Sequence, residues 1–367
     1  MGKNNTNNVR SIKVYCTFLK EAKQQDDKTV DGVMKAISRF EEYTKFKDFK
    51  QFSFQQAIGF KKHLLASKNV TTGEPLSKAT VHTTLRHLKV FFQWLALQSG
   101  YRSRITYSDT EYFNLSEKDA RIATAKRKRP VPTIEQVEQV LEAMPSVTSV
   151  EMRDRALVAF TLLTGARDSA IASLKMKHID LGEQSVYQDA REVNTKFSKT
   201  FATYFFPVGE LPMQIFTDWV TYLTKELSFG PDDPLFPKTK VKNSPSRKFE
   251  AMGLQREHWS TAGPIRRIFK QSFKLADLPY YNPHSFRSTL ARLGEQLCCK
   301  AEEFKAWSQN MGHEQVLTTF SSYGDVPDYR QAELLRKLAK PAENISSDME
   351  EQFKQFVQFR QMMENNK

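Results

Sequence analysis

A mainly α-helical fold with a small antiparallel β-sheet is what the sequence predicts, divided into a helical first domain and an α+β second domain. Three observations carry this. Apolar residues recur at helical spacing through roughly the first hundred residues, a strand-favouring run interrupts that spacing between Val186 and Pro207, and helical spacing then resumes. At 367 residues the chain also exceeds one ordinary core, so two domains are expected.

In order along the chain, Val14, Phe18 and Ala22 form one apolar stripe, and Val33, Ile37 and Phe40 form a second. Phe54, Ile58 and Leu65 point to a third helix. A long fourth helix starts near Ser77, turns Val81, Leu85, Leu88, Phe92 and Leu95 inward, and stops at Gly100 in the manner of a C-terminal cap. Its outward positions include Lys78, Arg86 and Lys89, a basic edge that reads either as solvated surface or as a DNA contact.

The run AKRKRPVP, with Lys126, Arg127, Lys128 and Arg129 ahead of Pro130 and Pro132, has no means of packing into a core and is expected to be an exposed linker. Two readings of it stand: a solubilising tether, or a segment lying along DNA phosphates. Domain bounds follow as 1–120, a linker over 121–132, a second domain over 133–340 and a tail helix over 341–367.

Thr133 and Gln136 have capping-box spacing and open a helix bearing Val137 and Leu141. The next helix carries Ala156, Val158, Ala159, Leu162 and Leu163 and ends on Gly165, a candidate left-handed cap. Val186, Tyr187, Val193, Thr195 and the run Thr203 to Phe206 favour strands, with a turn near Ser198. Helices return from Met213, Pro264, Ser285 and Glu302 onward. In the tail, Ser347 and Glu350 repeat the capping-box spacing, and Met349, Phe353, Phe356 and Met363 share a face that either packs on its own domain or docks on a neighbouring subunit.

Hydrophobic residues at 40% and charged residues at 26% are ordinary globular values and argue against disorder. A net charge of +13 makes an extended polyanion the first partner to consider. No apolar run reaches the roughly 20 residues of a membrane span and the start MGKNNTNN lacks a signal-peptide pattern, so a soluble intracellular chain is expected. Cys16, Cys298 and Cys299 make neither a disulfide framework nor a zinc site and are expected to be buried small hydrophobes.

Four segments carry chemistry. LLTGARDSAIASL places Arg167 just past Gly165, at the start of a helix, and NTKFSKTFATYFFP places Lys199 at the tip of a hairpin. PHSFR supplies His284 and Arg287 on one helical face, and MGHEQVLTTFSSYG supplies His313 followed by Tyr323. Each segment is weak alone. Taken together and in this order they resemble the catalytic domain of the tyrosine recombinase and integrase family, over about residues 133 to 335, with the first hundred or so residues similar to its core-binding domain by placement only.

Elementary chemistry asks for the same residue types. Attack on a phosphodiester builds negative charge on the non-bridging oxygens, and guanidinium groups such as Arg167 and Arg287 meet it with permanent charge and paired donors. A sugar 5′-oxygen leaves as a strongly basic alkoxide unless it is protonated, so an acid is required. The resemblance makes Lys199 that acid, with Lys196 the nearby competitor. A phenol with a reference pKa of about 10 needs a base at pH 7, for which His284 is the candidate, while His313 holds the phosphate or orients Tyr323. Tyr329 is the alternative nucleophile.

A phosphotyrosine ester conserves the energy of the broken bond, so neither ATP nor Mg²⁺ is required, and no phosphate-binding Gly-rich loop or paired-carboxylate cluster is visible. The resemblance implies double-stranded DNA as partner, a homotetramer on paired sites, accessory DNA-bending proteins, and a cytoplasmic, nucleoid-associated location. A type IB topoisomerase and a DNA-binding regulator without catalysis are the competing readings. Two departures from the family pattern stand out. Ala170 occupies a position where many members carry glutamate, leaving Asp168 and Asp180 as the nearest acids, and the gap from His313 to Tyr323 is one residue longer than the commonest spacing. The remaining histidines, His63, His82, His87, His178 and His258, read as structural or surface residues.

Overall fold

The computed structural model describes residues 4–70, 72–125, 130–243 and 249–313. The chain separates into two compact units, Met1–Arg127 and Lys128–Lys367.

The first unit is built from α1 (Thr6–Thr17), α2 (Asp27–Thr44), α3 (Phe54–Ala66), α4 (Lys78–Ala96) and α5 (Glu117–Thr124). The side chains of Asp26, Ser77 and Ser116 accept from backbone N–H groups of the first turns of α2, α4 and α5, which satisfies donors the helices leave open. The core is aromatic: Phe40, Phe52, Phe60, Phe92 and Phe113 are buried, with Phe52 and Phe92 stacked at 3.9 Å between centroids. Three expectations are corrected here. In α1 the buried apolar residue is Tyr15, continued by Leu19 in the π-helical turn Phe18–Ala22 that follows, and Val14 is exposed. In α3 it is Ala57, Phe60 and Leu64, while Phe54 and Leu65 face out. Helix α4 ends at Ala96 with Leu97 as its cap, and Gly100, at φ +79°, shapes the turn beyond it.

The second unit runs α6 (Ile134–Ala143), α7 (Ser149–Thr164), α8 (Asp168–Ile171), β1 (Ile179–Asp180), β2 (Ser185–Gln188), β3 (Phe201–Tyr204), α9 (Glu210–Thr221), β4 (Lys238–Asn243), β5 (Phe249–Gln255), α10 (Gly263–Leu275), α11 (Ser285–Leu297) and α12 (Ala301–Asn310). The Thr133–Gln136 capping box forms as expected, and a second one, Thr148 with Glu151, opens α7. From Ala156 to Thr164 every residue of α7 is buried, so this helix is the centre of the core and packs against α9 and α6. Strands β1, β2 and β3 form one antiparallel sheet, with Val186 opposite Thr203. Val193 and Thr195, expected in strands, lie in the β2–β3 connection. A separate hairpin, β4 with β5, was not expected.

Helices α11 and α12 meet very closely. A methyl group at Gly294 would lie 2.6 Å from Nε1 of Trp307, whose indole N–H donates to the Leu290 carbonyl at 3.0 Å. Only a residue without a side chain leaves that notch open. Cys16 and Cys298 are half-buried and Cys299 is exposed, so the expectation of three buried cysteines fails at the end of α11, where the chain turns in solvent. Among the described residues no helix is long and apolar enough to cross a membrane. The tail over 341–367 and the run Lys126 to Arg129 lie outside the described residues.

Candidate active site

The site is assembled from three turns that converge at one end of α7. Gly165 ends that helix in the left-handed conformation, at φ +58°, and a methyl there would press on Leu290 at 2.9 Å. The chain then reverses, so that Arg167 stands in extended conformation as the N-cap of α8. The freed carbonyl of Gly165 accepts from Nη1 of Arg287 at 2.6 Å.

Arg287 lies in the first turn of α11 and is almost wholly buried, at 3% exposure. Its Nη2 donates to the Met311 carbonyl at 2.6 Å and approaches Nε2 of His313 at 3.0 Å. Since guanidinium only donates, Nε2 of His313 must accept, which puts the ring proton on Nδ1. Burial, followed by the charges of Arg287, Arg167, Lys199 and His284, pushes the His313 pKa down to about 4. His313 is therefore a neutral imidazole near pH 7.

His284 caps α11 one turn before Arg287 and stays exposed as a residue. Its pKa is lowered by crowding of its ring away from water first, then by Arg287 and Arg167. Lys199 is half-buried at the end of a 3₁₀ turn, Lys196–Ser198, and leads directly into β3. It stands on the long β2–β3 connection rather than at a tight hairpin tip, with Phe197 and Ser198 both at positive φ just before it. The charge of Lys199 is among those that lower the His313 pKa, and that of Lys196 among those that lower the His284 pKa.

Sheet and helix are tied together beside His313. The Asn310 side chain accepts from the Tyr204 N–H at 2.7 Å and donates to its carbonyl at 2.8 Å, like an added strand residue. Gly312, at φ +73°, faces the ring of Phe201, where a methyl would approach to 2.7 Å. Arg287 and His313 are in direct contact, and Arg167, Lys199 and His284 stand near enough for their charges to lower the His313 pKa, while Tyr323 and Tyr329 lie outside the described residues.

Ala170 is buried in the core and contributes no charge. Asp168 instead holds Arg266, both of whose Nε and Nη2 lie 2.8 Å from one carboxylate oxygen, and Asp180 is exposed and caps the turn at Glu183. Sequence reasoning passed over Arg266 and the rest of the basic face of α10: Arg267, Lys270 and Lys274 are exposed opposite the buried Ile265, Ile268, Phe269 and Phe273. The alternation of that apolar set with cations at helical spacing was the available signal. In the first unit Arg86 is exposed, whereas Lys78 and Lys89 are ion-paired with Asp119 and, at 2.7 Å, Glu111. His178 is buried, as its structural reading required. Among the described residues no cluster of His, Cys, Asp or Glu has the makings of a metal site.

Residues 131–329, more than half of the chain, match the phage integrase family, and the chain belongs to that family. The class is that of the tyrosine-type site-specific recombinases. A curated relative, the tyrosine recombinase XerC of Halalkalibacterium halodurans, is 21% identical over 316 residues, covering 85% of this chain and 91% of its own. Among solved structures, a lambda integrase (75–356) dimer bound to a COC′ core site is similar at a TM-score of 0.58 and 15% identity, over 92% of this chain and 99% of that one. The Tn1549 transposon integrase in complex with transposon right end DNA is similar at 0.53 and 16%, over 90% and 99%.

Proposed function

We propose that this recombinase breaks and rejoins DNA through a 3′-phosphotyrosine intermediate formed by Tyr323. The grouping of Arg167, Lys199, His284 and Arg287 around His313 supports the reading. In the first step the Tyr323 oxygen attacks the scissile phosphorus and the bond to the 5′-oxygen breaks. His284, kept neutral by its surroundings, takes the phenol proton. Lys199 gives a proton to the departing 5′-oxygen. Arg167 and Arg287 hold the non-bridging oxygens, and His313 adds a donor through Nδ1. Attack by another strand's 5′-hydroxyl reverses these steps and completes the exchange.

DNA contacts are assigned to Arg86, Lys78, Lys89, the run Lys126 to Arg129, and the cationic face of α10, in keeping with the net charge of +13. The chain works as a homotetramer on paired duplex sites in the cytoplasm, at the nucleoid, with accessory DNA-bending proteins. In support, a structural relative is a lambda integrase tetramer bound to a Holliday junction, similar at a TM-score of 0.57 and 15% identity over 94% of this chain and 82% of that one. The test is a suicide substrate carrying the cognate site. Wild type should form an SDS-resistant adduct and Tyr323→Phe should not; an equal adduct yield from the variant would overturn the assignment.

A further inference from the structure

The β2–β3 connection that carries Lys196 and Lys199 divides into two parts with different anchoring. Its first part is held on several sides. Val193 is buried in the core. The carboxylate of Glu192 receives Nζ of Lys177 at 2.9 Å and of Lys175 at 3.1 Å, with Nε2 of His178 at 3.4 Å. The N–H of Asn194 donates to Oγ of Ser173 at 2.9 Å, and its carbonyl accepts from Oγ of Ser169 at 3.3 Å. The Ala190 N–H donates to Oγ1 of Thr200 at 3.0 Å and closes the neck of the loop.

Beyond Thr195 the character changes. Phe197 and Ser198 take φ values of +61° and +51°, and Phe197 is 78% exposed. Ser169 lies in α8, whose N-cap is Arg167, and Ser173 follows in the turn after it. The base of the lysine-bearing part is therefore fastened to the segment that presents the phosphate-binding arginine.

We propose that Glu192 and Ser173 are positioning residues, which fix the base of the β2–β3 connection and thereby set the reach of Lys199 to the leaving 5′-oxygen. This rests on the reading of Lys199 as the general acid. Proton transfer needs the donor within hydrogen-bond distance of the oxygen in the transition state, and a misplacement of about 1 Å costs on the order of a hundredfold. Neither residue touches the reacting atoms, so the effect should be confined to the step that consumes the proton.

The experiment compares single-turnover cleavage of two suicide substrates, one with the ordinary 5′-oxygen and one with a 5′-bridging sulfur, whose thiolate departs without a proton. Glu192→Ala and Ser173→Ala should be slowed by about a hundredfold on the oxygen substrate and should return close to wild type on the sulfur substrate, as should Lys199→Ala. If Lys199→Ala is rescued while the other two are equally slow on both substrates, or unimpaired on both, the positioning role is overturned. If Lys199→Ala itself is not rescued, the general-acid reading fails and the positioning role with it.

Discussion

Nη2 of Arg287 stands 3.0 Å from Nε2 of His313, while the same guanidinium is gripped by the carbonyls of Gly165 and Met311. One buried side chain thus joins the end of α7, the start of α11 and the turn after α12. Donors fixed before the phosphate arrives need no rearrangement as charge develops, which is how such a site lowers a barrier.

Replacing Arg287 by lysine keeps the charge but removes the planar fork that reaches three acceptors at once. Arg287→Lys should cut adduct formation by about 10²- to 10³-fold, the range seen when one preorganised donor is lost. Single-turnover cleavage on a suicide substrate measures this, and circular dichroism should show an intact fold.

The low pKa of His313 has a stability consequence. The folded chain keeps this ring neutral down to about pH 4, whereas an unfolded histidine binds its proton near 6.5. Between those values the unfolded state holds more protons, so stability should fall as pH drops from 6.5 toward 4, by on the order of 3 kcal/mol from this group. His284 is shifted in the same direction. Urea titrations at pH 7, 6 and 5 should show a shallower acid decline in His313→Asn than in wild type.

Gly312→Ala meets two obstacles, a φ of +73° and the Phe201 ring 2.7 Å from the new methyl. A loss of about 1–3 kcal/mol is expected in denaturant unfolding. Cleavage should suffer more than folding, because the displaced turn carries His313 and the displaced strand adjoins Lys199.

Salt dependence separates free cations from paired ones. For every phosphate that a variant no longer neutralises, the slope of log K against log salt should flatten by about 0.9. Arg86→Ala and Arg267→Ala should each show that change, whereas Lys78→Ala, whose ammonium is engaged by Asp119, and Arg266→Ala, whose guanidinium is engaged by Asp168, should show less. Equal slopes for all four would remove the distinction.

The proposed site was legible through resemblance, because Arg167, Lys199, His284, Arg287 and His313 follow one another in the family's order although each segment is weak alone; Tyr323 lies outside the described residues. The cap at Gly165 and the box at Thr133 were legible because backbone geometry demands those residues. The β4–β5 hairpin was not, since KTKVKN in β4 has one apolar residue, Val241, and that residue is itself exposed; cross-strand backbone bonds hold the pair, with Leu254 of β5 packed partly against the core. Helix α3 was found but turned the wrong way: it has apolar residues on two faces, and only its neighbours decide that Phe60 is covered and Leu65 is not. The connection bearing Lys199 hid its shape because Phe197 and Ser198, not glycines, adopt the positive φ values there.

The indole of Trp307 seated against Gly294 gives α11 and α12 a common fate. One helix delivers Arg287 and the other leads into His313, so neither can be re-aimed without carrying its companion. A substitution that shifts either helix should therefore disturb both ends of the Arg287–His313 contact together.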